Sequence, residues 1–222
     1  MGEAGWDRAR WLWWLALLGG VSFFAAVVLH LDGPAIWAWK TSGVGLLAVW
    51  AAANARGTSG WLIAAALGFG ALGDYLLDAL GLPPGAAAFA VGHVIAITLY
   101  LRNRRPSLTS SQRLLGWLVI PATLVIVWGM LSPLPAWWHA AVYSLFVAAM
   151  AAAAWTSRFP RYRTGIGAMM FLASDLFIFA GEGGVMTRDV TMWLVWPLYF
   201  GGQALIAWGV VSTLAKEVKA SA

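Results

Sequence analysis

The chain has 222 residues, of which 61% are hydrophobic and only 10% charged, and its mean hydropathy is +0.76. A soluble domain carries about 25% charged residues, so this composition argues against a soluble core protein, a nucleic-acid binder and a disordered linker despite the formal charge of +5. Cysteine is absent, which removes disulfides, thiolate chemistry and cysteine-bound metals.

A bilayer core about 30 Å thick takes roughly 20 apolar residues per helix. Eight segments come close to that length: 11–29, 35–53, 61–80, 86–101, 114–131, 137–155, 164–180 and 191–214. Between them lie chain breakers: Asp32-Gly33-Pro34, Pro83-Pro84-Gly85, Ser132-Pro133-Leu134-Pro135 and the glycine-rich stretch from Gly181 to Gly184. No linker separates two domains, and the first run lacks a small-residue cleavage site, so it reads as a retained helix. The expected fold is an all-α bundle of eight transmembrane helices forming one domain over 1–222.

Lysine and arginine set the expected orientation. Arg8, Arg10, Arg56, Arg102, Arg104, Arg105, Arg113, Arg158, Arg161, Arg163, Lys216 and Lys219 all fall on one side of an eight-span chain. Only Arg188 falls on the other, and Lys40 lies within a span. Positive charge collects on the cytoplasmic side, which puts both termini there. The expected location is a bacterial cytoplasmic (inner) membrane.

With that orientation each polar residue has a depth. Asp74 and Asp175 lie six and five residues before the outer ends of the third and seventh spans, or about 8–9 Å below the outer boundary at 1.5 Å per residue. Asp78 follows Asp74 by one turn. Lys40, His93, Tyr143 and Tyr199 enter from the outer ends of spans two, four, six and eight, and Gln203 is one turn deeper than Tyr199. Polar groups thus concentrate in the outer half of the bilayer, where intramembrane charge is expensive and marks function. Blander roles stand beside this one. Lys40 is shallow enough to snorkel, Tyr143 and Tyr199 suit an aromatic belt, and His93 and Gln203 suit interhelical packing. His30 and His139 fall at outer helix ends, where an interfacial role is expected. Of the 16 tryptophans, Trp11, Trp13, Trp14, Trp61, Trp137, Trp138, Trp155 and Trp193 lie near span ends, as a belt requires. Gly68, Gly70 and Gly73 in span three, with Gly165 and Gly167 in span seven, would let those two helices approach and bring the carboxylates together.

Two carboxylates in one low-dielectric site resist carrying two charges, so the pair offers one general acid and one general base. That suits hydrolysis through a cationic intermediate, as in glycosides or vinyl ethers. No nucleophile elbow and no H-E-x-x-H pattern is present, and neither a metal nor a cofactor is expected.

The stretch from Gly68 through Asp74 to Leu77, Phe89 to His93, Gly165 to Asp175 with Ser174, and Tyr199 to Gln203 resembles the YhhN family of membrane proteins, which contains the lysoplasmalogenases. Lys40, Tyr143 and Met150 fit the same pattern, and the resemblance runs along nearly the whole chain. It implies hydrolysis of the sn-1 vinyl-ether bond of choline or ethanolamine lysoplasmalogens to a fatty aldehyde and a glycerophospho-base. Asp74 and Asp175 would then be catalytic, with Lys40, His93, Tyr143, Tyr199, Gln203, Asp78 and Ser174 around the substrate. Three positions depart from the pattern: Gly70 replaces a serine, Thr41 a proline and Ala96 an aromatic residue. The expected partner is a lysophospholipid within the bilayer and not a nucleic acid, and self-association would run through helix faces. A proton-coupled carrier of lipids or small solutes using the same aspartates is the alternative, although the cytoplasmic half offers few polar groups. An intramembrane aspartyl protease fits less well, because Ala71 breaks the G-x-G-D signature and no Tyr-Asp partner is found.

Overall fold

The computed structural model describes residues 9–220, with side chains up to residue 217. Arg8 and the Lys219 side chain, both counted in the charge asymmetry, lie outside the described residues. The chain is 85% helical, and no strand occurs among the described residues beyond one isolated bridge between Arg104 and Ser157.

Among the described residues eight α-helices follow one another: α1 (Arg10–Val28), α2 (Pro34–Ala53), α3 (Gly57–Leu80), α4 (Leu82–Arg102), α5 (Ser110–Leu131), α6 (Trp137–Thr156), α7 (Ile166–Glu182) and α8 (Arg188–Ala220). The fourth helix begins at Leu82, four residues before the apolar run, because Pro83 and Pro84 occupy its first turn, where their missing N–H groups would be unpaired anyway. A short π-helical turn, Arg161–Gly165, precedes α7. Thr109 caps α5 reciprocally with Gln112: Gln112 N–H donates to the Thr109 hydroxyl and Thr109 N–H to Gln112 Oε1.

Among the described residues seven helices are long and apolar enough to cross a membrane, which marks an integral multi-pass membrane protein. The helix not among them is α2. Its 20 residues suffice in length, but three tryptophans together with Lys40, Thr41 and Ser42 dilute its apolar content.

Packing is mostly between sequence neighbours: α1 on α2, α2 on α3, α3 on α4, α5 on α6 and α7 on α8. The bundle closes where α4 packs on α6 and where α8 meets α1, α2 and α3. One expectation fails. No Cα of α3 comes within 8 Å of α7 among the described residues. The small residues do permit close approach, but to other helices. A Cβ on Gly73 would meet the Phe89 ring of α4 at 2.8 Å, and one on Gly167 would meet the Gly202 carbonyl of α8 at 2.6 Å. Glycine spacing shows that a helix can approach something without showing which neighbour it approaches.

Tryptophan also divides unexpectedly. Trp11, Trp14, Trp61, Trp138 and Trp193 are exposed, as a belt requires. Trp13 instead is buried, with its ring centroid 4.8 Å from Trp50 and 4.9 Å from Trp208. At that end of the bundle the α4–α5 and α6–α7 loops are tied together. Arg158 donates from Nε and Nη2 to Asn103 Oδ1 at 2.9 and 2.7 Å and pairs with Glu217 of α8.

Candidate functional site

At the other end, Asp74 stands on α3 six residues before its last residue, and Asp175 on α7 seven before its last. Both are buried, 2% and 6% exposed, which for a carboxylate demands a partner. Each finds a tyrosine. Tyr199 of α8 donates to Asp74 Oδ2 at 2.8 Å, and Tyr143 of α6 donates to Asp175 Oδ2 at 2.8 Å. Neither tyrosine belongs to a belt: Tyr199 is buried and Tyr143 partly buried against the core. The Tyr143 hydroxyl also lies 3.3 Å from His93 Nε2, so His93, Tyr143 and Asp175 form one chain across α4, α6 and α7.

The two aspartates do not hydrogen-bond to each other. Aromatic rings fill the space between their networks. Phe171, one turn before Asp175, sits edge-on to both Tyr199 and His93, with centroids 5.0 Å apart in each case. Phe89, one turn before His93, meets Tyr199 and Phe171 at 5.8 and 6.0 Å.

A cavity of about 510 Å³ opens at the end of the bundle that carries the 132–136 turn and Glu182, and Asp175 and Tyr143 form part of its lining. That volume falls within the range of about 300–1,000 Å³ usual for small-molecule sites. Its walls are chiefly apolar: Leu77 of α3, Phe89 of α4, Leu131 of α5, Trp137 of α6, and Ile178 and Phe179 of α7. His139 and Glu182 add polar groups, Glu182 being paired at 2.7 Å with exposed Arg188. Leu134, Pro135 and Ala136 also line it, with Ala136 in the left-handed region at φ 62°. No Cα of α4 comes within 8 Å of α5 among the described residues, so these two walls are not packed together.

The remaining sequence candidates are placed elsewhere. Lys40 does not snorkel; its ammonium donates to both carboxylate oxygens of Asp78 at 2.8 and 2.9 Å, tying α2 to α3 beside the cavity and not inside it. Ser174 is turned inward and donates to the Phe171 carbonyl of its own helix. Gln203 lies against Gly70: a Cβ built there would stand 2.8 Å from its Nε2 and 3.6 Å from the Tyr199 hydroxyl. Asp74 and Tyr199 do not line the large cavity.

Several lining residues escaped the sequence reading, Phe89, Trp137, His139 and Glu182 among them. Phe89 is four residues before His93, on the same helix face, and that spacing was available. Glu182 is the last residue of α7, within the glycine-rich stretch of the sequence, and only the fold shows that it borders a cavity. His139 lies at a helix end as expected, but there it borders the cavity. Among the described residues no group of three or more His, Asp or Glu side chains is arranged to hold a metal ion.

The YhhN family matches residues 35–210, a span that contains every candidate residue from Lys40 to Gln203. No curated protein and no solved structure matches the chain.

Proposed function

The chain belongs to the YhhN family, and from that premise we propose that it is an intramembrane hydrolase of the lysoplasmalogenase type, cleaving the sn-1 vinyl ether of a single-chain lysophospholipid. One observation carries the reading: a buried carboxylate, Asp175, reaches a largely apolar cavity of about 510 Å³ that opens at a helix-bundle end. An alkenyl chain matches the apolar walls and a polar headgroup matches the mouth, where Glu182 and His139 stand. A lysolipid would enter from the bilayer between α4 and α5, which do not pack on each other. In this reading all eight helices cross the membrane, both termini are cytoplasmic, and the site lies in the outer half of the bilayer.

The chemistry follows from the residues. Asp175, in its acid form, delivers a proton to the vinyl-ether carbon C2, and the bond electrons leave a cation shared between C1 and the ether oxygen. Water adds its oxygen to C1 and loses one proton to a carboxylate. The resulting hemiacetal collapses, with its hydroxyl proton moving to the glycerol oxygen, to give a fatty aldehyde and the free sn-1 hydroxyl. Tyr143 fixes the Asp175 carboxyl and is itself held by His93, and such positioning is worth several kcal/mol where reacting atoms must align. Asp74, fixed by Tyr199, is the second carboxylate of the pair. The Lys40–Asp78 pair locks α2 to α3 just above Asp74.

The test is release of fatty aldehyde from a lysoplasmalogen by purified protein in detergent, beside Asp74→Asn and Asp175→Asn variants that still fold. Aldehyde from the wild type and much less from the variants supports the reading. A folded, monodisperse wild type that releases none overturns it and moves the question to carrier function.

A further inference from the structure

The large cavity has a second polar end. On α7 it is lined by Asp175, Ile178, Phe179 and Glu182, which stand at offsets of three, four and seven and so share one helix face. The stripe is apolar in the middle and carries a carboxylate at each end. Seven residues at 1.5 Å each put the two carboxylates about 10 Å apart along the helix. Asp175, the inner one, is held by Tyr143. Glu182, the outer one, is the last residue of α7 and its side chain is 44% exposed at the mouth.

Glu182 is only half engaged. Arg188 donates to its Oε1 at 2.7 Å, and Oε2 accepts no hydrogen bond among the described residues. Arg188 does not line the cavity, and with a side chain 77% exposed it forms a solvated pair. Such pairs contribute little, so the carboxylate can take a second cation. Its surroundings in the mouth are apolar: Leu134, Pro135, Trp137 and Phe179, with Trp137 packed against the cluster that contains Phe179. A primary ammonium brings three N–H donors, and these side chains offer few acceptors for them. A trimethylammonium brings none; its methyl groups suit apolar walls, and aromatic rings such as that of Trp137 attract it.

Length agrees with this placement. Ten bonds separate vinyl-ether carbon C1 from the nitrogen of a choline lysoplasmalogen. An extended chain advances about 1.2 Å per bond, so the nitrogen reaches at most about 12 Å, and one gauche turn shortens that to about 10 Å. The phosphorus lies four bonds nearer, and His139 borders the same mouth. His139 Nδ1 faces the Ala136 carbonyl at 3.1 Å, which leaves Nε2 for a phosphate oxygen.

We propose that Glu182 and Trp137 form an ammonium subsite at the cavity mouth, which selects a trimethylammonium headgroup over a primary ammonium and over an uncharged one. The assignment deepens the hydrolase reading and rests on it for one point, the seating of the vinyl ether at Asp175.

Binding of lysolipids that cannot be cleaved tests the subsite apart from the chemistry. Saturated 1-O-alkyl lysolipids of one chain length, with phosphocholine, phosphoethanolamine or phosphoglycerol headgroups, lack the double bond that takes the proton. Their Kd values are measured by titration calorimetry on the purified protein in detergent. The wild type should bind the choline lipid about three-fold or more tighter than the ethanolamine lipid, the worth of a cation–aromatic contact. Glu182→Gln should weaken choline binding about five-fold, the upper worth of a solvated ion pair, and leave the phosphoglycerol lipid nearly unchanged. Trp137→Leu should narrow the gap between choline and ethanolamine. A wild type that binds all three alike, or prefers ethanolamine, overturns the proposal without any variant. So does an equal loss for all three headgroups in Glu182→Gln. Selective choline binding with no aldehyde release from a lysoplasmalogen would keep the subsite and overturn the hydrolase reading, whereas aldehyde release with headgroup-blind binding would do the reverse.

Discussion

Asp74 and Asp175 accept tyrosine hydroxyls at the same distance, 2.8 Å, yet only Asp175 borders the large cavity. The tyrosines come from different directions, Tyr199 from α8 and Tyr143 from α6, and the rings of Phe89 and Phe171 stand between the two networks. The pair is therefore asymmetric. If Asp175 transfers the proton, Asp175→Asn lowers kcat for aldehyde release by about 10²–10⁴-fold, the usual worth of a general acid. Asp74→Asn leaves more residual rate than Asp175→Asn. Equal losses, or a larger loss at Asp74, would show that the cavity-facing carboxylate is not the one meeting substrate.

Tyr143 is the hinge of the Asp175 network, because its hydroxyl contacts both Asp175 and His93. Tyr143→Phe keeps the ring packed against the core and removes both contacts. Proton transfer leaves charge on the Asp175 carboxylate, and a hydrogen bond to a charged group is worth about 1.5–3 kcal/mol, so a fall of roughly ten-fold or more in kcat is expected. KM should change little, since the variant leaves the walls intact. Steady-state kinetics of aldehyde release separates the two parameters. A variant that changes KM alone would make Tyr143 a wall residue and nothing more.

The apolar cavity makes its own prediction. Ala140 lines it without making any of the polar contacts described. Ala140→Phe fills part of the volume that the alkenyl chain would occupy. Affinity for a long-chain lysolipid should fall while a short-chain analogue is less affected, with the melting temperature close to that of the wild type. Equal turnover of long and short chains by this variant would place the chain-binding site elsewhere.

Some of this was legible in the chain and some was not. Charge at depth is legible because a membrane span tolerates it only for a reason; Asp74, His93 and Asp175 stand out from apolar neighbours without any structure. Partner choice is not legible. Asp78 follows Asp74 by one turn and reads as a second member of the same site, whereas in space it pairs with Lys40. Gly167 reads as a contact for α3, but α8 takes that face, because a small-residue stripe encodes closeness and not address. Trp13 reads as a belt residue from its place near a helix end, but Trp50 and Trp208 enclose it. Tyr100 gives no signal in the sequence at all; only the fold buries its hydroxyl without a hydrogen-bond partner.

The Lys40–Asp78 pair is partly buried, with side chains 14% and 25% exposed. Removing one partner leaves an uncompensated charge, and the loss should fall between about 1 kcal/mol for an exposed pair and about 3–5 kcal/mol for a fully buried one. Lys40→Met and Asp78→Leu should therefore each destabilise, and the double variant should recover most of the loss. Thermal unfolding in detergent gives the cycle. Additive losses in the double variant would mean that the two charges do not depend on each other, and that Lys40 meets another anion, such as a lipid phosphate.

Helix packing supplies the last test, and it pairs two glycines of the same apparent kind. At Gly167 a Cβ would lie 2.6 Å from the Gly202 carbonyl and 3.0 Å from Leu205 Cβ, so α7 and α8 would have to separate. Overpacking of this sort costs about 1–3 kcal/mol, and the displaced helix is the one that carries Asp175. At Gly68 a Cβ meets nothing within 4 Å. There alanine is the better helix former by about 1 kcal/mol, so Gly68→Ala is neutral or stabilising. The expected result is a lowered Tm with lowered activity for Gly167→Ala, against wild-type activity and an equal or higher Tm for Gly68→Ala. If both variants melt alike, the close contact of α7 with α8 is not what holds Asp175 in place.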